Sequence, residues 1–446
     1  MWDFIIVGGG ITGLAIGALL AHDRKKVLVL EKTGKLGGRA QIWEKDGFTV
    51  DYGIHGIRYG PKSAISKTCR ELGVEIPYVS LGPSYVKDED GKVKIFPTGP
   101  VGFLRSEMFT FMERLNVFRV MLRVRRKSFE TFKNLSVKES LDEEGIKGGM
   151  RRYLHLVSAS MMVCPFIEKT SIREMLVNLQ KVLRKRISVM YPLHGWKPIY
   201  DLLTSTIKNS GEIRLQSKVD SVDIEKGAVR GVHIGKDFIE GKEVVVSVPC
   251  QEYFGAPAVL QRRMRLWRKD GSALLDEKLF PTEFVKMCKS MIPSSGVSID
   301  YGLSRRVSSS DGLWYFWSPM SFGMFTSNLC PELAPPGKQL LTWFYPTTLE
   351  DMQDPQRAKA SEEELERAIY ETFPGIQDAI EWRRAIHLKT VNGAQVNVNQ
   401  TRDRRPGFRA PGIQGLYFVG DSTGASGAGG DIGHESVHEC YKAITS

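Results

Sequence analysis

Three glycines near the start of the chain, Gly8, Gly10 and Gly13, stand in a G-x-G-x-x-G spacing, with Ile11 and Thr12 before the third. Such spacing serves anion binding by the backbone. The first glycine allows a tight turn, the second lets the main chain approach a pyrophosphate, and the third lets a helix close onto a strand. The free N–H groups and the dipole of a helix beginning there favour the anion. Glu31, with Lys32 beside it, lies 18 residues beyond Gly13, about where an acid takes the ribose hydroxyls of a dinucleotide. A carboxylate at that point repels a 2′-phosphate. NADP is therefore disfavoured, and NAD and FAD both stay open. Gly37, Gly38, Arg39 and Ala40 follow, and Arg39 can lend charge to a phosphate.

The elements around these residues are those that would position them. Asp3 to Val7 is a short apolar run with β-branched residues, which predicts a buried parallel strand. Leu14 to Ala21 predicts a helix, and Lys26 to Leu30 a second strand ending at Glu31. Short strands with turn signals run from Ile213 to Pro249, a β-meander returning to the parallel sheet. Near the C-terminus, Gly415 to Val419 predicts another buried strand. It ends at Gly420-Asp421, before a glycine cluster and a helix from about His434.

Together, Gly8 to Gly13, Glu31, Leu36 to Ala40 and the Asp51 to Gly60 loop resemble the flavin amine oxidase and phytoene desaturase superfamily. Tyr191 to Trp196 resembles that family's Y-P-x-G-G segment, with His194 in place of the first glycine. The resemblance implies an FAD cofactor held by the first loop, with Glu31 on the adenosine ribose and Gly53, Ile54 and His55 near the flavin ring. It implies that the Val219 backbone contacts adenine, that Gly420-Asp421 binds the ribitol or phosphate, and that the backbone of Gly430, Asp431 and Ile432 faces the pyrimidine ring. That helix end would favour negative charge on reduced flavin. His55 is the titratable candidate for catalysis, with His194 and Arg58 behind it.

The implied architecture is α/β, α+β overall. A Rossmann-like FAD-binding domain is discontinuous (1–60, 191–249 and 411–446), and a mixed-sheet and helical substrate domain fills 61–190 and 250–410. The 446 residues suit two or three domains, and their 42% hydrophobic and 25% charged content is that of a folded soluble chain. No apolar run is long enough to span a bilayer. The six cysteines form no C-x-x-C pair, so reduced thiols, no metal and a cytoplasmic location are expected, with no secretory leader. His434 and His438, one turn apart, suggest no third ligand and are expected at the surface.

A net charge of +11 could serve nucleic acid, a membrane or an anionic ligand. Nearly half of it falls in residues 101–135, where eight Lys and Arg meet three Glu among apolar residues. A basic amphipathic helix there reads equally as a binder of an anionic membrane surface or as an ordinary helix with a solvated basic face; nucleic-acid signatures are absent. Residues 256–271, rich in Arg, read as a solvated helix. Strands are expected at Val297–Leu303, Leu313–Trp317, Phe322–Asn328 and Leu340–Tyr345, with Asp311-Gly312 as a hairpin turn. The aromatic cluster of Trp314, Tyr315, Phe316, Trp317, Phe322, Phe325 and Trp343 could line an apolar pocket.

Amine oxidases of the family usually carry a lysine near the flavin on a substrate-domain strand. Ser295 to Leu303 has none. The expected activity is thus FAD-dependent desaturation or saturation of C–C bonds in a hydrophobic, isoprenoid-type substrate at the inner face of a membrane. Amine oxidation with oxygen, a non-redox isomerase and a prenyl or lipid carrier on the same fold are the alternatives. Electron acceptor and oligomeric state stay open.

Overall fold

The computed structural model describes residues 1–51, 56–114, 129–255 and 273–446. Gly53, Ile54 and His55, the centre of the basic segment at 115–128, and the Arg-rich stretch at 256–271 lie outside the described residues.

The first sheet has seven strands. Trp2–Val7 lies at its centre, parallel to Val27–Leu30 on one side and to Asp237–Val246 on the other. Glu212–Arg214 extends the first side in parallel, and Leu416–Phe418 pairs in parallel with Asp237–Val246. Asp237–Val246 also carries the antiparallel meander Ser221–Glu225 and Ala228–Ile234. Five segments remote in sequence thus meet in one parallel core. Ile5, Ile6, Val27, Leu28, Val29, Val244 and Val245 are fully buried, as both-face coverage of a parallel sheet requires.

The helix Ile11–His22 is buried along most of its length. Its small residues bring it close to the helix Lys197–Ser210: a Cβ added at Gly17 would meet Ile207 at 3.3 Å. The C-terminal helix Gly430–Thr445 packs on the same layer through Val437 and Cys440. It begins four residues before the expected start, because Gly429, at φ +59°, turns the chain and Gly430 is already helical.

The second sheet also has seven strands, in the order Ile380–Leu388, Ser295–Leu303, Gln339–Thr347, Ser321–Met324, Trp314–Phe316, Tyr85–Lys87 and Val93–Ile95. Every residue of Ser295–Leu303 is buried. Ile299 and Tyr301 pack with Leu365 and Ile369 of the helix Pro355–Thr372.

Two local readings are corrected here. Asp311-Gly312 is no hairpin turn. The hairpin joins Trp314–Phe316 to Ser321–Met324, and Gly312 serves a close approach, since a Cβ there would meet the Pro83 carbonyl oxygen at 2.0 Å. The strand expected over Phe322–Asn328 ends at Met324, and Thr326–Leu329 is a helical turn. All six cysteines are buried and unpaired by disulfides.

Candidate active site

A cavity of about 1040 Å³ runs from the C-terminal ends of the parallel strands into the space beneath the second sheet. That edge is where open α/β sheets bind ligands. Gly8, Gly10, Ile11, Thr12, Glu31, Lys32, Gly37, Gly38, Arg39 and Ala40 line its first part, together with Asp421, and Gly430 and Asp431 also line the cavity.

Gly8, at φ +110°, makes the turn out of the first strand, and Gly10 is the N-cap of the first helix. Glu31 is buried and braces this loop. One carboxylate oxygen accepts the Gly9 N–H at 2.8 Å, and the other accepts the Thr33 N–H and hydroxyl at 2.9 Å. Arg39 forms a bidentate pair with Asp421, at 2.7 and 2.8 Å, and also donates to the Val391 carbonyl at 3.1 Å. Asp421 further accepts the Gly393 N–H at 2.9 Å. One ion pair therefore joins the N-terminal loop, the C-terminal strand end and the loop after Leu388.

These residues fit a bound dinucleotide. A Cβ added at Gly10 or Gly430 would meet no described protein atom within 4 Å, although both glycines line the cavity. The space they leave is ligand space. Gly13 differs, since its added Cβ would meet the Gly8 carbonyl oxygen at 2.1 Å; it serves helix-on-strand packing.

Four expected cofactor residues are not part of the cavity wall. Gly13 lies behind the loop. Val219 is buried in the apolar layer on the far side of the sheet with Val222 and Val246. Gly420, at φ +129°, donates its N–H to the Ser436 hydroxyl, and Ile432 is buried with Ala428 and Val396. For Gly13, Gly420 and Ile432 a neighbour in sequence reaches the cavity; neither neighbour of Val219 lines it.

Beyond the dinucleotide end the wall becomes apolar, with Phe96, Phe103, Met150, Leu154, Leu179 and Phe344 among its members. The helices Gly148–Ser160 and Ile172–Lys185 supply one side and the second sheet another. Of the aromatic cluster, Tyr315 and Phe322 face the cavity. Phe316, Phe325 and Trp343 are fully buried, and Phe316 stacks on Trp343 at 4.3 Å, so core packing claims most of the cluster.

Polar groups are few in this chamber. Arg58 donates to the Met161 carbonyl, while its Nη1 is buried without a hydrogen-bond partner among the described residues. Asp431 is buried, and its Oδ2 likewise has no partner there. Burial pushes the Asp431 carboxyl up to about 6, against the pull of Arg58 and Lys181. Burial raises the pKa of the Tyr315 hydroxyl, and Ser160 and the charge of Arg58 oppose that rise.

Histidine placement also departs from expectation. His434 lines the cavity and stacks on Trp196 at 5.9 Å, and His438 lies within bonding distance of Thr68 and the Ala64 carbonyl. Both are half-buried. His194 is at the surface with Glu332, at 3.0 Å. No group of three metal-ligating side chains converges among the described residues.

Sequence reading missed Ser247, Val248 and Pro249, which line the cavity. Their position at the C-terminal end of a parallel strand was the available signal. It also missed Lys389. The strand Ser295–Leu303 indeed lacks lysine, yet Lys389 reaches the cavity wall just past the end of its partner Ile380–Leu388.

Asp51, buried at the end of the strand Phe48–Asp51, is not part of the cavity wall. The Tyr191 hydroxyl donates to its Oδ2, and Oδ1 has no partner among the described residues. Burial pushes this carboxyl from 3.8 up to about 6, with Tyr191 opposing and the charge of Asp300 adding. A carboxyl raised by folding stabilises the native state relatively at low pH, and that contribution is lost as pH rises through the folded value. Asp51→Asn should match the parent near pH 4 and exceed it at pH 8, by up to about 3 kcal/mol at 1.36 kcal/mol per unit. Urea unfolding at both pH values checks this; a gap independent of pH would refute the buried-carboxyl assignment.

These features define an α/β nucleotide-cofactor protein whose cofactor site opens into an apolar chamber. The chain belongs to the family described as flavin containing amine oxidoreductase, whose model matches residues 11–434. Its cofactor is FAD. It is 24% identical to the chloroplastic prolycopene isomerase of Daucus carota, over 94% of this chain and 76% of that one. With an uncharacterised protein of Methanocaldococcus jannaschii it shares 26% identity over 50% of this chain, and it spans only 54% of that relative's length. An oxidoreductase structure from Methanosarcina mazei shares the fold, with a TM-score of 0.79 at 19% identity over 99% of this chain and 100% of that one.

Proposed function

We propose that this flavoprotein desaturates or saturates C–C bonds of a hydrophobic, isoprenoid-type substrate. The observation that carries this reading is the continuity of the cavity. Its dinucleotide end passes directly into a chamber walled by Phe96, Phe103, Met150, Leu154 and Leu179. FAD, when bound, accepts a hydride from substrate or returns one. The chain's own part is to hold an apolar segment beside the cofactor and exclude water.

An ammonium substrate fits less well. Its charge would have to enter a largely apolar chamber, which costs desolvation. A second reading, isomerisation without net redox change in the same site, is favoured by the prolycopene isomerase that aligns along 94% of the chain. The chamber would take the same class of substrate.

Delivery from an anionic membrane surface belongs to this reading. Val101, Leu104, Phe111 and Met112 are exposed large apolar residues, beside Phe103, which lines the cavity. They lie in the segment that carries a local excess of five positive charges. No helix of the described residues is long and apolar enough to cross a membrane, so such contact would be peripheral.

The test is anaerobic titration of the yellow holoprotein with a host lipid extract presented in anionic vesicles, beside a panel of amines. Bleaching by the vesicles alone, with a product two hydrogens lighter, is the expected outcome for desaturation. An isomer of unchanged mass would establish the second reading. Bleaching by an amine would sink both, and a protein that cannot be loaded with FAD would favour a carrier.

A further inference from the structure

The chamber's few polar groups are grouped. A side chain at Gly429 would come within 3.4 Å of Arg58 Nη2, and one at Gly427 within 3.1 Å of Asp431 Oδ2. Both charged groups therefore lie against the same glycine turn. Gly429, at φ +59°, holds that turn open. Tyr315 joins the same cavity wall from the second sheet. Its ring stacks on Phe96 at 4.2 Å, and Phe96 stacks on Tyr153 at 5.3 Å. Arg58, Tyr315, Ser160 and Asp431 all line the cavity.

Two atoms in this group are unusual. Arg58 Nη1 is a buried donor, and Asp431 Oδ2 a buried acceptor, each without a partner among the described residues. A buried polar group left unpaired costs free energy, more so when it is charged. Such atoms in a ligand cavity mark places where the ligand completes the hydrogen bonding. One free donor and one free acceptor against the same glycine turn make a specific demand. A hydroxyl meets it, because its oxygen accepts and its hydrogen donates. A pure hydrocarbon meets neither half. A carbonyl would leave Asp431 unsatisfied, an ammonium would leave Arg58 unsatisfied, and a carboxylate would face Asp431 with like charge.

We propose that the chamber selects a hydrophobic chain bearing a hydroxyl group, with Arg58 donating to the hydroxyl oxygen and Asp431 accepting its hydrogen. This rests on the reading of the cavity as an apolar substrate site and adds the polar end that such a substrate carries. Tyr315 lines the same cavity. No covalent step is implied; the group positions the substrate.

The test uses the FAD-loaded protein and follows perturbation of the flavin absorbance on titration with geranylgeraniol and with phytane, a hydrocarbon of matched length. The alcohol should bind about tenfold more tightly or better, the scale of one hydrogen bond to a charged partner. In Arg58→Met the preference should collapse to within about twofold while flavin content and phytane binding persist. Asp431→Asn, which keeps the shape and removes the charge, should reduce the preference in part. Equal binding of the two probes by the parent would overturn the hydroxyl assignment and leave the apolar reading standing. Binding of neither would overturn both. Loss of flavin from Arg58→Met would show that Arg58 holds the cofactor, and the assignment would fall.

Discussion

Gly10→Val should yield a folded protein without colour. Gly10 has φ −71° and ψ 169°, a conformation open to any residue, so the substitution adds no backbone strain. Its added Cβ would meet no described protein atom within 4 Å. The helix behind it keeps its hydrogen bonds, including Leu14 N–H to the Gly10 carbonyl at 2.9 Å. What the side chain does occupy is the space beside the helix N-terminus, where a pyrophosphate would approach the backbone. Affinity for FAD should fall at least about a hundredfold, the loss expected when several charge-assisted backbone contacts go together. Unfolding of the flavin-free protein should shift by no more than about 0.5 kcal/mol, as for other unstrained substitutions. The ratio of absorbance at the flavin band to that of protein, with urea unfolding of both apoproteins, measures the two quantities. A Gly10→Val protein that purifies fully yellow would contradict the placement of the cofactor. Gly13→Ala offers the contrast: its Cβ meets the Gly8 oxygen at 2.1 Å, so it should damage folding as well as binding.

Asp421→Ala should lower stability and cofactor affinity together. The Asp421 carboxylate accepts both Arg39 nitrogens and the Gly393 N–H. Its side chain is 10% exposed, and that of Arg39 37%. Removing one member of a buried pair costs about 3–5 kcal/mol, since the remaining charge is stranded. Arg39 reaches the cavity and is partly hydrated there, which reduces the cost to about 2 kcal/mol. The loop from Val391 to Gly393 loses its anchor as well, and Val391 and Asn392 line the cavity. Asp421→Asn keeps an acceptor for Gly393 and should lose less on both counts. Urea unfolding and FAD titration of the three proteins test this. An alanine variant within 0.5 kcal/mol of the parent would mean that the pair contributes nothing to the fold.

Much of the cofactor end was legible because its signals are local. Gly8, Gly10 and Gly13 each answer a backbone demand set by the immediate strand–turn–helix. Glu31 sits where a strand of fixed length delivers it. The apolar β-branched runs at Asp3–Val7 and Gly415–Val419 declare buried parallel strands without reference to partners. Less legible were residues whose role depends on which neighbour turns inward. The side chains of Val219 and Ile432 are buried in the apolar layers, which their sequence neighbours do not reveal. Gly312 carries a turn residue's identity but answers a close approach from Pro83, a contact invisible in sequence.

The chain's own order of residues determined the dinucleotide fold, the preference for a 2′-hydroxyl cofactor and the absence of a lysine on the strand Ser295–Leu303. Each follows from covalent neighbours, through helix and strand periodicity and the conformational freedom of glycine. Only the tertiary structure decided that Arg39 pairs with Asp421, 382 residues away, that Lys389 enters the wall, and that Arg58 and Asp431 share one glycine turn. Those contacts arise when segments far apart in sequence are brought together by burial of apolar surface. That driving force is non-directional and specifies no partner until the whole core has closed.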